Sequence, residues 1–305
     1  MKTNKLKSIC CLIFVVLVFT SCQTVGVIAA VGGLVGEIAG IEGSKDIGLS
    51  IAESALSIEA ALEDIAPEQE YYIGRAVAGQ ILSKYDLADC PEMETYLNQI
   101  CAALVLNSER PTLYRGYFVG IIDTDEINAF ATSGGHILVS RGLIECASSE
   151  DVLASVLAHE IAHIQLQHSL KAIKTSRLTD AIAKTTVATM NALSEGEFQE
   201  VADVFGDAVN EIVSEMVDSG YSKSQEFDAD KKALSIMAGA GYNPRAMEEM
   251  LLVLEKNQKG RTGFSKTHPT PKKRLDNLEK QYKKYDVKDT SQSRTARFEE
   301  VKSKF

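Results

Sequence analysis

The segment His159-Glu160-Ile161-Ala162-His163 holds the residue types of a water-activating metal site. In a helix, two histidines four positions apart project from one face and can share an ion. Glu160 then lies about 100° around the axis from His159, able to reach a water beside the metal rather than the metal. Two imidazoles and a water suit zinc, which accepts a tetrahedral site with one open position. The alternative is a surface helix with two solvated histidines. Leu153, Val156, Leu157, Ile161 and Ile164 argue against it, because they make the run as apolar as a buried helix. Burying two imidazoles and a carboxylate without a metal or hydrogen-bonding partners would be costly. Ser148, with Asp151 three positions on, is the expected cap at the start of this helix.

A third ligand must come from elsewhere. A third histidine of the same motif would need Gly at 166 and His at 169, where this chain has Leu166 and Ser169. His168 lies roughly 180° around a straight helix from His159 and so cannot join the same ion. Glu226 is the better candidate. Asp230 follows it by four residues, so both carboxylates face one way; one can bind the metal while the other accepts a hydrogen bond from a ligand histidine. Taken alone, Glu226 would read as a solvated helix charge.

Further stretches share a pattern. Ile127-Asn128-Ala129-Phe130-Ala131 precedes Gly134-Gly135-His136-Ile137-Leu138-Val139-Ser140-Arg141-Gly142-Leu143; later come Gly241-Tyr242-Asn243-Pro244, Thr267-His268-Pro269 and Arg274-Leu275. With the histidine motif, these resemble the gluzincin metallopeptidases of peptidase family M48, which includes CaaX prenyl proteases, HtpX-type membrane proteases and periplasmic BepA/LoiP-type proteins. The resemblance runs from about Glu68 to about Leu278. Ser133 stands where relatives often have Pro, and Lys223 where they often have Arg.

The resemblance implies an α+β, mainly helical fold with a small β-sheet beside the zinc helix. It implies one Zn2+ per chain on His159, His163 and Glu226, with Glu160 as catalytic base and Asp230 in support. His268 is the candidate oxyanion stabiliser or fourth ligand, with a surface-loop histidine as the alternative. In gluzincins an edge strand near the metal pairs with the substrate backbone, and the resemblance assigns that job to Gly135, His136, Ile137 and Leu138. Such pairing suits unfolded or extended polypeptide. The implied function is a zinc endopeptidase for unfolded or misassembled envelope proteins. The competing reading is a largely non-catalytic assembly factor using the same cleft, although such a factor has no need of Glu160.

At 305 residues the chain can bury one sizeable core with appendages. Lys2, Lys5 and Lys7 followed by apolar Ile9 to Phe19 read as a secretory signal, too short to span a bilayer. Phe19-Thr20-Ser21-Cys22 resembles a bacterial lipobox, so Cys22 is the expected lipidation site. Gln23 behind it points to the periplasmic face of the outer membrane. Long apolar spans, as an intramembrane prenyl-type protease would need, do not follow the signal. The expected organisation is a signal peptide at 1–21, a lipidated Gly/Ala-rich tether at 22–62, a metallopeptidase domain at 67–283 and a charged tail at 284–305. Gly32, Gly36 and Gly40 would also permit a membrane-contacting hairpin.

A formal charge of −10 disfavours nucleic acid as a partner. Cys90, Cys101 and Cys146 remain after the leader, and either a Cys90–Cys101 disulfide or free thiols fit. Helices are expected over Ser50–Ile65, Glu68–Tyr85 and Pro91–Leu106, and strands over Leu113–Ile122 and His136–Ser140. The helical insert between Ser169 and Ser219, interrupted near Ser194-Glu195-Gly196-Glu197, reads equally as a lid or as padding.

Overall fold

In the computed structural model, which describes residues 65–171, 206–257, 271–285 and 292–305, helices α1 (Pro67–Leu82) and α2 (Pro91–Val105) lead into a small sheet. Each opens on a proline, whose missing N–H costs nothing there, followed by acids that suit the helix dipole. Strands β1 (Phe118–Ile122), β2 (Ala129–Thr132) and β3 (His136–Ser140) lie in the order β1-β3-β2. β1 runs parallel to β3, and β2 antiparallel. Helices α3 (Arg141–Cys146), α4 (Glu150–Gln165) and the short α5 (His168–Lys171) follow, then α6 (Lys223–Gly239), α7 (Ala246–Asn257), α8 (Pro271–Tyr282) and α9 (Gln292–Lys302). A helix over 206–213 runs into a π-helical turn, Ser214–Ser219. The mainly helical α+β class holds. Cys22, the Gly32–Gly40 stretch, the interruption at Ser194–Glu197 and His268 lie outside the described residues, as does nearly all of the helix expected from Ser50. No described helix is long and apolar enough to cross a membrane.

Everything is arranged around α4, whose 16 residues are all buried. It packs against α6, α7, α2 and β2, as a helix buried on every side must. Its cap is Ser149, one residue later than the sequence suggested. Ser149 is extended (φ −158°, ψ 166°) and its hydroxyl accepts from the Val152 N–H, while the Ser148 hydroxyl turns away to Glu249.

Two strand expectations need correction. β1 starts at Phe118 rather than Leu113, because the Gly116 N–H closes a turn on the Leu113 carbonyl and Gly116 takes φ +84°. β3 is the central strand and not an edge. His136, Ile137 and Leu138 pair with β1 on one side and β2 on the other, and Gly135 lies in the turn before the strand. Their backbone cannot add a further strand. The outer side of β1 is engaged too, by the Asn98 carboxamide at Val119 (2.8 and 2.9 Å) and the Ala88 N–H at Ile121.

Helix α1 reaches the turn between β2 and β3 only because Gly74 has no side chain. A Cβ there would stand 1.5 Å from the Ser133 carbonyl oxygen. Gly74→Ala should therefore force the backbone apart, costing about 2–3 kcal/mol. A fall of roughly 5–10 °C in melting temperature is expected; an unchanged melting curve would show that α1 can move freely.

The charged tail belongs to the core. Phe298 of α9 is buried in it, and Arg297 grips Glu150 at the first position of α4. Arg294 bonds Asp151 (3.1 Å) and the Gly241 carbonyl (3.0 Å). Glu150 also accepts from the Tyr96 hydroxyl (2.8 Å) and the Tyr242 hydroxyl (2.9 Å). Charge runs along the tail mask this role, although Phe298, Val301 and Phe305 recur at helical spacing and the last two also pack against the core. Glu150→Ala should cost about 2–4 kcal/mol, since it strands two buried hydroxyls. Arg297→Ala should cost about 1 kcal/mol or less, its side chain being 50% exposed. Urea midpoints of the two variants would coincide if the buried hydroxyls were irrelevant.

Candidate metal centre

One turn of α4 and the first turns of α6 bring His159, His163 and Glu226 together, all buried. Helix α6 starts at a capping box, in which Ser222 and Gln225 satisfy each other's backbone N–H groups, and this fixes where Glu226 enters. His159 Nε2 and His163 Nε2 are 3.1 Å apart. Glu226 Oε2 lies 3.6 Å from the first and Oε1 3.5 Å from the second. A tetrahedral ion with bonds of about 2.0–2.1 Å wants neighbouring donors roughly 3.3–3.4 Å apart. The three donors bracket that spacing.

The outer nitrogens of both histidines are held. His159 Nδ1 is 3.0 Å from Asp230 Oδ1, one helical turn beyond Glu226, as the i, i+4 spacing predicted. His163 Nδ1 is 2.9 Å from His168 Nδ1. His168 stays out of the donor set, as the sequence suggested, but it is not remote, because the helix is not straight. Instead α4 ends at Gln165, Gln167 takes φ +54°, and His168 folds back behind His163. Burial first, and then the nearby His163 and Lys171, push the His168 pKa down to about 2, so the ring stays neutral. A neutral His168 can accept the proton of His163 Nδ1, leaving His163 Nε2 bare for an ion. His168→Leu should weaken metal binding about 10–100-fold, measured by competition with a chelator; wild-type affinity would rule this role out.

Arg274 also enters the site, a residue the sequence pattern singled out without a role. It is buried, clamps Asp230 with two bonds (2.9 and 2.6 Å), and places Nη1 3.3 Å from Glu226 Oε2. Glu160 is buried beside the donors, and its Oε1 has no hydrogen-bond partner among the described residues. Tyr221 stacks on His163, with ring centroids 4.3 Å apart and planes 22° apart.

The charges show what the site lacks. Glu160, Glu226 and Asp230 bring three carboxylates, and Arg274 offsets one. A divalent cation would balance the other two. Protein groups alone drive protons into the same space. Burial, and then Glu226, raise the Glu160 pKa to about 7 against the pull of His159 and Arg274. For His159, burial and Arg274 oppose the charge, but Asp230 and Glu226 outweigh them and raise it to about 9. Donor types, spacing and charge all fit a divalent metal.

The model described as Peptidase family M48 matches residues 91–282. The chain belongs to peptidase family M48. This M48 chain is similar to the beta-barrel assembly-enhancing protease of Escherichia coli (strain K12), 26% identical over 214 residues that cover 68% of this chain and 42% of that protein. It is also similar to the mitochondrial metalloendopeptidase OMA1 of Schizosaccharomyces pombe (strain 972 / ATCC 24843), 29% identical over 53% of this chain and 45% of that one. Metalloprotease YcaL of Escherichia coli (strain K12) is 25% identical over 55% of this chain and 61% of its own length. The chain thus spans less than half the length of the first two relatives. Cys101 and Cys146 lie within the M48 match and Cys90 just before it, and none of the three is in a disulfide.

Proposed function

We propose that this chain is a zinc-dependent endopeptidase of the bacterial cell envelope, acting on unfolded or misassembled envelope proteins. The observation that carries the reading is a tetrahedrally spaced His159–His163–Glu226 set with the unpartnered Glu160 Oε1 beside it. Two nitrogens and a carboxylate at that spacing favour zinc among common divalent ions. When bound, zinc supplies a Lewis acid that polarises the scissile carbonyl and makes water more acidic. Glu160 accepts a proton from the attacking water at Oε1 and delivers it to the amine that leaves as the C–N bond breaks. Asp230 and His168 hold protons on the Nδ1 atoms, keeping both Nε2 lone pairs turned inward.

Substrate backbone runs along β2 in this reading. Because Ser140 donates to the Asn128 carbonyl, the alternation of an antiparallel pair turns the N–H and C=O of Ala131 away from β3. Main-chain pairing along that side is largely blind to side chains and suits extended polypeptide. The lipobox ending at Cys22 supports attachment to a membrane by lipid, and the name of the first relative, a protease that enhances beta-barrel assembly, supports beta-barrel proteins as clients.

The test is metal analysis of the untagged protein, with casein cleavage followed before and after chelation. About one zinc per chain is expected, with activity abolished by chelator and restored by zinc. Cleavage undiminished by chelator would sink the reading. A chain that holds zinc, leaves casein intact and suppresses aggregation of unfolded envelope proteins would support the assembly-factor alternative.

A further inference from the structure

Among the described residues, the acceptor Glu160 Oε1 and the donor Tyr221 hydroxyl lie beside the three ligands without a hydrogen-bond partner, whereas Glu226 Oε2 and Arg274 Nη1 face each other. Tyr221 is half-buried as a residue, but its hydroxyl is buried and has no partner among the described residues. A buried hydroxyl without a partner is costly to keep, and a ligand oxygen seated between the two atoms would satisfy it. The ring is held in place by its stack on His163, and its backbone immediately precedes the Ser222 cap of α6. It lies farther from His168, at 5.7 Å between centroids, so it covers His163 rather than the pair equally. Burial first, and then the charges of Glu160 and Glu226, hold the phenol well above its ordinary pKa, so it stays protonated and able to donate.

Peptide hydrolysis needs a donor in that position. As water adds to the scissile carbon, negative charge moves onto the carbonyl oxygen, and neither Glu160 nor Glu226 can stabilise it. Arg274 is committed to Asp230 and Glu226. We propose that Tyr221 is a catalytic residue whose hydroxyl donates a hydrogen bond to the carbonyl oxygen of the scissile peptide as that oxygen gains charge. The donor and the Glu160 acceptor then face the two ends of one reacting group. The phenol is neutral throughout and passes no proton on; it lowers the barrier by being fixed before the charge develops.

This inference rests on the peptidase reading, and its test separates the two. The zinc-loaded full chain and its Tyr221→Phe variant are compared on a quenched fluorogenic casein peptide, and for binding of a phosphinic pseudopeptide of the same sequence, which mimics the tetrahedral geometry. Phenylalanine keeps the ring stack. The expected result is a kcat lower by about 10²–10³-fold, KM within about threefold, one zinc per chain in both proteins, and pseudopeptide affinity falling in step with kcat/KM. An active wild type with an equally active variant overturns the Tyr221 role and leaves the peptidase reading standing. Loss of zinc from the variant, or a shift in the acid limb of its pH profile with pseudopeptide affinity unchanged, also overturns it, since the hydroxyl would then serve the ligands or Glu160. A wild type that neither cleaves the peptide nor binds the pseudopeptide overturns both.

Discussion

Glu160→Gln should lower kcat by about 10²–10⁴-fold while the protein keeps one metal ion per chain. The amide matches the carboxylate in size and leaves His159, His163 and Glu226 untouched, so folding and metal content should match the wild type. What disappears is the ability to accept a proton at Oε1, the oxygen with no partner among the described residues. The pH profile adds a second reading. Protein groups alone raise Glu160 to about 7, burial being the largest cause. A bound cation favours the ionised form, so the acid limb of kcat/KM should rise through a value at or below 7 and vanish in the variant. The same shift has a consequence for stability. A carboxyl raised in the folded state contributes stability that is full below its unfolded value and lost as pH rises through about 7. The metal-free protein should therefore lose stability across that window, and metal should restore it. Casein cleavage by a zinc-loaded Glu160→Gln protein at more than about a tenth of the wild-type rate would remove Glu160 from the chemistry.

The centre of this site was legible because helical periodicity is a strong geometric rule. Four-residue spacing puts His159 over His163 and Glu226 over Asp230, and the structure seats all four as that rule requires. What the rule could not carry was anything beyond a straight helix. His168 came into range through a left-handed residue at Gln167, which no spacing argument anticipates. Tyr221 and Arg274 sit outside the two motif turns, and their parts depend on how α6 packs against α4 and α8 against α6.

Sheet order was illegible for a related reason. The stretch from His136 to Ser140 shows that it is a strand, but only partners distant in sequence decide whether it is central or at an edge. Phe118–Ile122 took the side that the substrate had been expected to use. The edge passed to Ala129–Thr132, a segment so uniformly buried that alternation could not reveal it.

Arg274→Met should be the most damaging substitution for the fold. The guanidinium is 2% exposed and joined to Asp230 by two bonds, with Glu226 within 3.3 Å. Removing one partner of a buried ion pair typically costs about 3–5 kcal/mol, because the other charge is left without compensation. The pH dependence should change sign. Burial alone would raise the Asp230 pKa, but Arg274 and His159 outweigh it and hold the carboxyl below its ordinary value. A depressed carboxyl gives stability that is present above its unfolded pKa and lost as pH falls through the folded one. Without Arg274 burial prevails, the Asp230 pKa rises, and its contribution must decline as pH climbs above about 4. Metal binding should suffer as well: with a divalent ion in place the three carboxylates and Arg274 are balanced, and the variant leaves one negative charge over beside a His159 that has lost its firm anchor. Urea unfolding of both zinc-loaded proteins at pH 5 and pH 7.5 reads these effects together. A variant less than about 1 kcal/mol weaker, with the wild-type slope between the two pH values, would show that Asp230 and Glu226 are held by something other than Arg274.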